Sequence, residues 1–271
     1  NGANDRFIEA MQSLVEHEPG PLSAWARYHW ALTLHADSDF VKARQVAIVG
    51  RDQFPNSRGG KHCHNLVAQI EQKSINIRTE SIWNAPWPEL SVVYRNITEV
   101  HFRLVPADWN KLREKNFRLS SKEDRQALLK REPVKSWRHD LPPTADYKQR
   151  TELFPVPDDV KPGFYFLISS VDASFRENNN QTQTATVWIS DLSLVVRSRA
   201  NRLEGFVVEG NSGDPVAGAQ VDAWLLGNRG KYVKKTGTTD QSGVFSIQRA
   251  RNQYQGFVLA QHNGRQVGTT R

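Results

Sequence analysis

Cysteine and long apolar runs are both scarce in this chain. Its 271 residues include one cysteine, Cys63, which cannot form a disulfide within the chain. No stretch approaches the roughly 18 apolar residues that a membrane-spanning helix needs. With 38% hydrophobic and 24% charged residues, the composition is that of a soluble globular protein of about two domains, or three small ones. The sequence therefore predicts no disulfide-stapled fold and no membrane insertion.

The amino terminus lacks the features of a targeting segment. Residues 1–4 (NGAN) contain neither an initiator methionine nor a basic region followed by an apolar core. We therefore expect a processed or excised piece of a longer protein, from which any export signal has been removed.

The net charge of +7 and the isoelectric point near 9.6 permit an acidic partner. The lysines and arginines are spread along the whole chain rather than clustered. This distribution favours a solvated basic surface over a nucleic-acid site, and we expect no nucleic-acid partner.

The sequence contains none of the common catalytic patterns. A nucleophile elbow, a phosphate-binding loop, a dinucleotide fingerprint and a His-Glu-x-x-His pattern are all missing. We therefore expect no enzyme activity, no catalytic residue and no cofactor-binding residue.

The tripeptide His62, Cys63, His64 has the right residue types for a zinc site. Adjacent residues of a helix point about 100° apart, so these three side chains cannot converge on one ion. We expect no metal site, and a buried Cys63 between partly exposed histidines.

Two pairs of adjacent titratable residues, His139 with Asp140 and Asp158 with Asp159, lie near prolines. They are better explained as loop charges than as a catalytic pair, because neither belongs to a larger constellation.

Eight tryptophans are many for this length. Trp83, Trp87, Trp137 and Trp188 could form a stacking platform for sugars, but their apolar positions favour core filling. Residues 96–98 (NIT) match an N-glycosylation acceptor, although they fall in a predicted tight hairpin.

Residues 1–74 show helical periodicity. Apolar residues repeat at helical spacing, which predicts helices ending near 18–21 (EPGP), then over about 22–34, 40–54 and 60–72. Asp39 is part of a capping sequence for the third helix. The predicted apolar faces contain Phe7, Met11, Leu14 and Val15 in the first helix, and Leu22, Trp25, Ala26, His29, Trp30 and Leu34 in the second. Two helical hairpins of this kind are similar to tetratricopeptide-type repeats.

From residue 75 the apolar period changes to two, which indicates strands. Asn96 occupies a hairpin turn between two of them. This spacing predicts an antiparallel β-sandwich of around seven strands over residues 75–199. The expected strands are 75–79, 90–94, 98–105, 134–139, 147–154, 164–171, 182–189 and 192–197.

A charged segment interrupts this sandwich near residues 107–131. It predicts one or two short helices, with residues 120–123 (SSKE) as a capping start. Its charge predicts a surface insertion.

Residues 200–271 alternate apolar residues with turn sequences rich in Gly, Asn and Asp. They predict a second, small β-sandwich that closes with a hairpin around residues 262–264 (HNG). Its glycines are expected at turns and strand ends, where they serve backbone geometry rather than phosphate binding.

This third region resembles a carboxypeptidase-regulatory-like (transthyretin-like) domain. The resemblance lies in residues 204–208 (EGFVV), 215–221 (PVAGAQV) and 238–245 (TTDQSGVF). It implies the fold and says nothing of activity.

The preceding segments resemble the amino-terminal part of bacterial alpha-2-macroglobulin family proteins. The similar segments are residues 65–70 (NLVAQI), 90–103 (LSVVYRNITEVHFR), 162–165 (PGFY) and 187–197 (VWISDLSLVVR). The family implies large exported bacterial proteins that trap proteases by a bait segment and sometimes by a reactive thioester. A thioester needs a Gln three residues after its Cys, and Leu66 stands there after Cys63. Only the scaffold role of macroglobulin-like sandwiches therefore transfers to this chain.

The sequence thus predicts a multidomain, mainly β fold: a helical region (1–74), a macroglobulin-like sandwich (75–199) with a helical insertion, and a transthyretin-like sandwich (200–271). We expect a non-catalytic structural fragment of a periplasmic, cell-surface or secreted bacterial protein, without a cofactor. Its expected partners are the other domains of the parent chain and, in the whole protein, proteases. A carbohydrate-binding or adhesion module is the alternative.

Overall fold

A computed structural model describes residues 2–18, 20–117, 121–178, 180–199, 201–227 and 230–269. Within them the chain is mainly β, with fifteen strands and six helices. The helices are α1 (Gly2–His17), α2 (Pro21–Ala36), α3 (Phe40–Gln53), α4 (Arg58–Glu71), α5 (Trp109–Glu114) and α6 (Lys122–Leu129). The strands are β1 (Ser74–Arg78), β2 (Ile82–Trp83), β3 (Glu89–Arg95), β4 (Glu99–Pro106), β5 (Lys135–Asp140), β6 (Arg150–Pro155), β7 (Gly163–Ser170), β8 (Thr182–Ile189), β9 (Leu192–Arg199), β10 (Arg202–Glu209), β11 (Gln220–Leu226), β12 (Tyr232–Thr238), β13 (Val244–Gln248), β14 (Tyr254–His262) and β15 (Arg265–Gly268).

The strands form four sheets, with orders β1-β3-β6, β2-β8-β7-β4-β5, β13-β10-β9 and β12-β11-β14-β15. The pairs β4–β7, β7–β8, β9–β10, β10–β13, β11–β12, β11–β14 and β14–β15 are antiparallel. The prediction of a purely antiparallel arrangement is wrong at one edge, where β2 runs parallel to β8. Sequence periodicity missed β2 because two residues are too few to show alternation.

The four predicted amino-terminal helices are present as α1 to α4. Asp39 accepts a hydrogen bond from the backbone N–H of Lys42 at 3.2 Å and thereby caps α3. Ser57 does the same for α4, accepting from Gly60 at 2.9 Å. Among the described residues, no helix is both long and apolar enough to cross a bilayer.

The core of this helical region is built from small residues of α2 and α3 and from the apolar face of α4, which contains Cys63, Leu66, Val67 and Ile70. Ala31, Ala43, Ala47 and Cys63 are fully buried, so α2, α3 and α4 approach each other closely. The predicted inner face of α2 is wrong at Leu22, which is 69% exposed. Leu22 is exposed because α2 buries its alanines instead. Their short side chains let α2 pack closely against α3 and α4.

The strands predicted over residues 75–199 are confirmed, with ends shifted by up to three residues, and Asn96 adopts a left-handed turn conformation with φ of 59°. Strand β9 hydrogen-bonds to β10 in register, with Arg199 opposite Arg202. The predicted boundary at 199/200 therefore separates two strands that share one sheet.

The turn sequences of the third region have direct structural roles. The buried Thr239 hydroxyl donates to the carbonyl of Val216 at 2.6 Å and accepts from the N–H of Ala219 at 2.8 Å. Gly243 has φ of 72°, a conformation that costs an L-residue free energy. The expectation that the glycines lie only at turns and strand ends is wrong at Gly205, which lies inside β10.

The charged segment 107–131 forms α5 and α6 as predicted, but its assignment to the surface is wrong. Trp109, Leu112 and Leu128 are at most 9% exposed and belong to the main hydrophobic core. The prediction was wrong because it used the charged composition of the whole segment. Burial depends only on the apolar face of each short helix. The capping start is present at Ser121, which accepts from the N–H of Asp124 at 2.9 Å.

Some predicted features lie outside the described residues. These are Pro19 in the first helix end, Ser120 in the capping sequence, Asn179 in a turn, and the boundary residues Asn1, Ala200 and Arg271.

The chain divides into two compact units. The first comprises Asn1–Asn76, Val93–Glu99 and Asp140–Glu152, and the second comprises Ile77–Val92, Val100–His139 and Leu153–Arg271. The three predicted domains cut the chain differently and remain a proposal about its organisation.

Candidate functional site

His62, Cys63 and His64, which the sequence predicts not to bind a metal, differ in exposure: Cys63 is buried, His62 is half-buried and His64 is exposed. Cys63 is fully buried, and its Sγ lies 3.5 Å from the carbonyl oxygen of Ala24. Burial raises the pKa of the Cys63 thiol to about 11. The ring of His62 packs against Trp25 at a centroid distance of 5.2 Å. Among the described residues, no three His, Cys, Asp or Glu side chains are placed to hold a metal ion.

The other charged candidates also have structural surroundings. Asp159 pairs with Lys135 at 2.5 Å, and the hydrogen bond from Lys135 lowers the pKa of this exposed carboxyl. The ring of His139 stacks on Phe154 with centroids 4.0 Å apart. Asp140 and Asp158 are exposed. None of these contacts assembles an acid with a base.

The proposed tryptophan platform does not form. Trp83 is fully buried and donates its indole N–H to Thr79 at 2.9 Å, and Trp188 is 3% exposed. Trp137 stacks on Phe102 at 5.2 Å. Core filling is therefore confirmed for Trp83 and Trp188.

Asn96, the residue of the glycosylation triplet, closes the end of α4. Its amide nitrogen donates to the carbonyls of Ile70 at 2.7 Å and Gln72 at 3.1 Å. Neighbouring Arg95 donates to the carbonyl of Gln69 at 3.1 Å. These carbonyls lack partners within the helix, so Arg95 and Asn96 act as its carboxyl-terminal cap.

Tyr94 and Thr144 add hydrogen bonds next to this helix cap in the first unit. The Tyr94 hydroxyl donates to the carbonyl of Pro142 at 2.9 Å, and burial raises its pKa. The Thr144 hydroxyl accepts from the backbone N–H of Asn96 at 2.8 Å. The Tyr-Arg-Asn sequence thus has a packing role at each of its three positions.

Within the second unit, an aromatic joint formed by Trp109, Phe117, Trp224 and Phe257 packs α5 against the sheet that contains β11 and β14. The ring centroids of Trp109 and Trp224 are 5.4 Å apart, and those of Phe117 and Phe257 are 5.1 Å apart. The Trp109 indole N–H donates to the carbonyl of Thr269 at 3.1 Å. Phe117 also packs edge-on against Phe164 of β7, with ring centroids 6.2 Å apart. The insertion therefore joins the two sheets through one core.

Two cations cover the outer ring of this joint. The guanidinium of Arg113 lies 4.4 Å from the ring centroid of Trp224, and the ammonium of Lys234 lies 5.3 Å from it. Cation–π contacts of this kind stabilise a packed ring by about 0.5–2 kcal/mol. Lys234 also pairs with the buried carboxyl of Asp222 at 2.9 Å.

An ion group of Asp191, Glu209 and Arg265 lies at the turn between β8 and β9. Arg265 donates two hydrogen bonds to Glu209, at 2.7 and 2.9 Å, and a third to Asp191 at 3.3 Å. The hydrogen bonds to Glu209 raise the pKa of Arg265. The backbone N–H of Gly210 also donates to the carbonyl of Asp191 at 2.6 Å. The Ser-Asp-Leu sequence thereby ties β9 to β10 and β15.

Sequence reasoning missed the joint and the ion group. The available signal for the joint was the i, i+3 pair Trp109 and Leu112 inside a charged stretch. Arg265 and Asp191 are 74 residues apart, so no local pattern connects them.

Among known proteins, similarity to this chain is found in solved structures and not in sequences. No family model matches the sequence, and no curated protein matches it. A crystal structure of native alpha-2-macroglobulin from Escherichia coli spanning domains NIE-MG1 is similar, with a TM-score of 0.54 and 19% identity over 73% of this chain and 97% of that chain. The fold of most of the chain resembles bacterial alpha-2-macroglobulin.

Two longer structures give the same result. The MG0-NIE-MG1 structure of the Escherichia coli alpha-2-macroglobulin has a TM-score of 0.54 and 20% identity over 73% of this chain and 64% of that chain. A Salmonella alpha-2-macroglobulin mutant has a TM-score of 0.50 and 18% identity over 73% of this chain and 12% of that chain. The chain thus spans a small part of a whole alpha-2-macroglobulin, and the likeness establishes a fold.

Proposed function

We propose that this chain is a non-catalytic structural part of a larger, exported alpha-2-macroglobulin-like protein that traps proteases. The observation that carries the proposal is the likeness of most of the chain to the NIE-MG1 fragment, of which it spans 97%. Its partners are then the remaining domains of the parent chain and, in the whole molecule, the trapped protease. The parent would be periplasmic, displayed on the cell surface or secreted.

The second unit has the construction that such a part needs. A scaffold part of a multidomain protein has to keep its own shape while its neighbours contact it, and this requires sheets that are fixed against each other. The aromatic joint and the ion group both fix sheets against each other through side chains with few alternative packings. These contacts support a role as a rigid scaffold, and the transthyretin-like identity of residues 200–271 is part of the same proposal.

Cys63 supports a scaffold role without covalent capture. Its thiol is fully buried with a raised pKa, and Leu66 stands where a thioester would need Gln. A nucleophilic thiol requires access and thiolate character, and this residue has neither at neutral pH.

The alternative of a carbohydrate-binding module loses its main support. It required Trp83 and Trp87 to be exposed side by side, and Trp83 is fully buried. Among the described residues no observation favours this alternative over the scaffold.

A substrate-size assay with trypsin tests the proposal. Trapping slows the cleavage of casein while a small chromogenic peptide is still hydrolysed, and covalent capture gives an adduct on denaturing gels. For the purified chain we expect both substrates to be cleaved at the unchanged rate, no adduct, and no hydrolysis by the chain alone. The variant C63A should behave identically. A trapping pattern, a Cys63-dependent adduct or intrinsic hydrolysis would contradict the scaffold role.

A further inference from the structure

One face of the helix pair α1 and α2 is apolar and exposed. A groove of about 430 Å³ runs along the pair, and its walls include Phe7, Met11, Leu14, Leu22 and Ala26. Phe7 is 41% exposed, Leu14 44% and Leu22 69%. A contiguous row of large exposed apolar side chains is typical of a contact surface. We call this surface the α1–α2 groove.

The groove face of α1 has a counterpart in α3. Phe7, Met11 and Leu14 follow each other at intervals of four and three residues. The same intervals, 36 positions later, separate three buried residues of α3, which are Ala43, Ala47 and Gly50. These residues are covered because both α2 and α4 pack against α3, whereas α1 packs mainly against α2. Helix α1 therefore exposes the face that α3 buries.

Helix α2 has a corresponding relation to α4. Leu22 and Ala26 of α2 lie 37 positions before Gly59 and Cys63 of α4. Gly59 lies directly on the backbone of α2, where a Cβ atom would collide with Trp25. Cys63 approaches the same stretch of α2. The contact points of α4 on α2 thus correspond to residues of α2 that face the groove.

These two correspondences predict what covers the groove. Helix α2 lies against both members of the pair α3 and α4. A helix in the equivalent position on the pair α1 and α2 lies in the α1–α2 groove. Within the part of the chain that the structure describes, the groove is open.

The two ends of this stack of helices differ in polarity. At one end α4 exposes polar residues, among them Lys61, His64 and Gln69. At the other end α1 and α2 expose the apolar groove. A stack of helical repeats needs a polar outer face where it meets solvent. The groove instead has the polarity of an interface between two helices.

The side chains of the groove specify what an incoming helix must present. Gly50 and Gly59, which contact α2 closely, correspond to Leu14 and Leu22 in the groove. Large side chains of one helix pack into the spaces between residues of another. An incoming helix therefore needs small residues where it meets the two leucines. Spacings of three, four and seven positions place these small residues on one face.

A second copy of the chain offers no such helix among the described residues. The small-residue faces of α2 and α3 contain Ala24, Ala31, Ala43 and Ala47, which are all fully buried. The occupant that fits is therefore a helix of a different polypeptide.

Glu18 favours one direction for this helix. Its carboxylate is the one acidic group among the described residues that line the groove, and it lies at the end where α2 begins. The amino terminus of a helix carries a partial positive charge, which a nearby carboxylate stabilises. A helix parallel to α2 places its amino terminus beside Glu18.

We propose that the α1–α2 groove binds one amphipathic helix of a partner polypeptide, parallel to α2, which packs small residues against Leu14 and Leu22. Burial of the apolar side chains of the groove provides the affinity, and Glu18 sets the direction. This arrangement repeats the packing of α2 on α3 and α4. The proposal does not depend on the scaffold function.

Met11 gives a direct probe, because it is the one methionine of the sequence. Labelled with ¹³C-methyl methionine, the whole chain shows a single methyl signal that comes from a wall of the groove. The ligand is a capped peptide of three Ala-Glu-Lys-Leu-Ala-Glu-Lys repeats, whose alanines and leucines share one helix face. A control peptide of the same composition spreads them around the helix. We expect the first peptide to shift the Met11 signal and the control to bind about tenfold more weakly.

Two protein variants place a carboxylate inside and outside the groove. Leu22→Glu should weaken binding about tenfold, because the carboxylate loses hydration when the helix covers it. Leu32→Glu is the matched control in the same helix, since Leu32 is 40% exposed and does not line the groove. It should bind as the wild type does. Both leucines are exposed, so both variants are expected to fold.

The direction of the helix is tested separately. Glu18→Lys should weaken binding about two- to fivefold, because a cation opposes the amino terminus of the helix. A nitroxide label on the amino terminus of the peptide should broaden the amide signals of Glu18 and Leu22 more than that of Phe7.

Three outcomes would overturn the proposal. The first is an unchanged Met11 signal up to the solubility limit of the peptide, or equal binding of the two peptides. The second is a shift of the Met11 signal with protein concentration alone, which assigns the groove to a second copy of the chain. The third is broadening that is strongest at Phe7, which reverses the helix and removes the role of Glu18.

Discussion

Asn96 shows how one residue stabilises a whole helix. Its side chain caps α4 through the carbonyls of Ile70 and Gln72, and its backbone adopts a left-handed conformation. N96A should lower the free energy of unfolding by about 1–3 kcal/mol more than N263A does. Asn263 is a suitable control because it also has positive φ, at 47°, and is exposed.

Urea unfolding of both variants measures this difference. Equal losses would mean that only backbone conformation matters at Asn96 and that the cap contributes nothing.

Asp222 gives the molecule a pH-dependent contribution to stability. Burial opposes its ionisation, but hydrogen bonds from Lys234 and Thr236 outweigh burial and hold its pKa below the usual value. A carboxyl whose pKa is lower in the folded state stabilises the fold above its unfolded pKa of about 4, and this contribution is lost as pH falls through the folded pKa.

We therefore expect D222N to cost about 1–3 kcal/mol at neutral pH, because it weakens a hydrogen-bonded charge pair. The deficit relative to the wild type should shrink as pH falls below about 4. Urea midpoints at several pH values measure it, and D158N, at an exposed carboxyl, is the control. A deficit that stays constant down to the acid range would refute the assigned role.

At the scale of elements, α5 carries more of the fold than its length predicts. Trp109 is 4% exposed and reaches Trp224, Phe257 and the carbonyl of Thr269. W109A should lower the free energy of unfolding by about 3–5 kcal/mol, the usual cost of removing a large aromatic side chain from a core.

W87A is the comparison, because Trp87 is half-buried in a loop outside the main core. It should cost clearly less in the same thermal or urea unfolding experiment. Similar losses for the two variants would mean that the aromatic joint is not a shared core.

The sequence predicted the elements well and their packing poorly. Alternation placed β8 at its observed bounds, and the asparagine turn at Asn96 was correct, because both depend on local chemistry. The joint depends on Trp109 meeting Trp224, 115 positions later in the sequence. Local patterns carry no information on such contacts, and the charges around Trp109 concealed its buried face.

The sequence predicted no active site because the common catalytic motifs are missing. The structural roles of Arg265 and Glu209, in contrast, could be recognised only from the folded structure. Their side chains meet only after β10 and β15 have been placed. Long-range ion groups of this kind lie beyond what spacing in a sequence can predict.

At the scale of the whole molecule, the account rests on the second unit behaving as one rigid scaffold. If its sheets share one core, they must unfold together, because neither can keep its packing without the other. If α5 were an insertion on the surface of one sandwich, the two sandwiches would unfold independently.

Fluorine resonances of a 5-fluorotryptophan-labelled chain, followed through a urea titration, test this most directly. Trp137 reports on the sheet of β5 and Trp224 on the sheet of β11, and single Trp→Phe variants assign the two signals. The shared core predicts that both native signals disappear at the same urea concentration. Two well-separated midpoints in the wild-type chain would contradict the scaffold account.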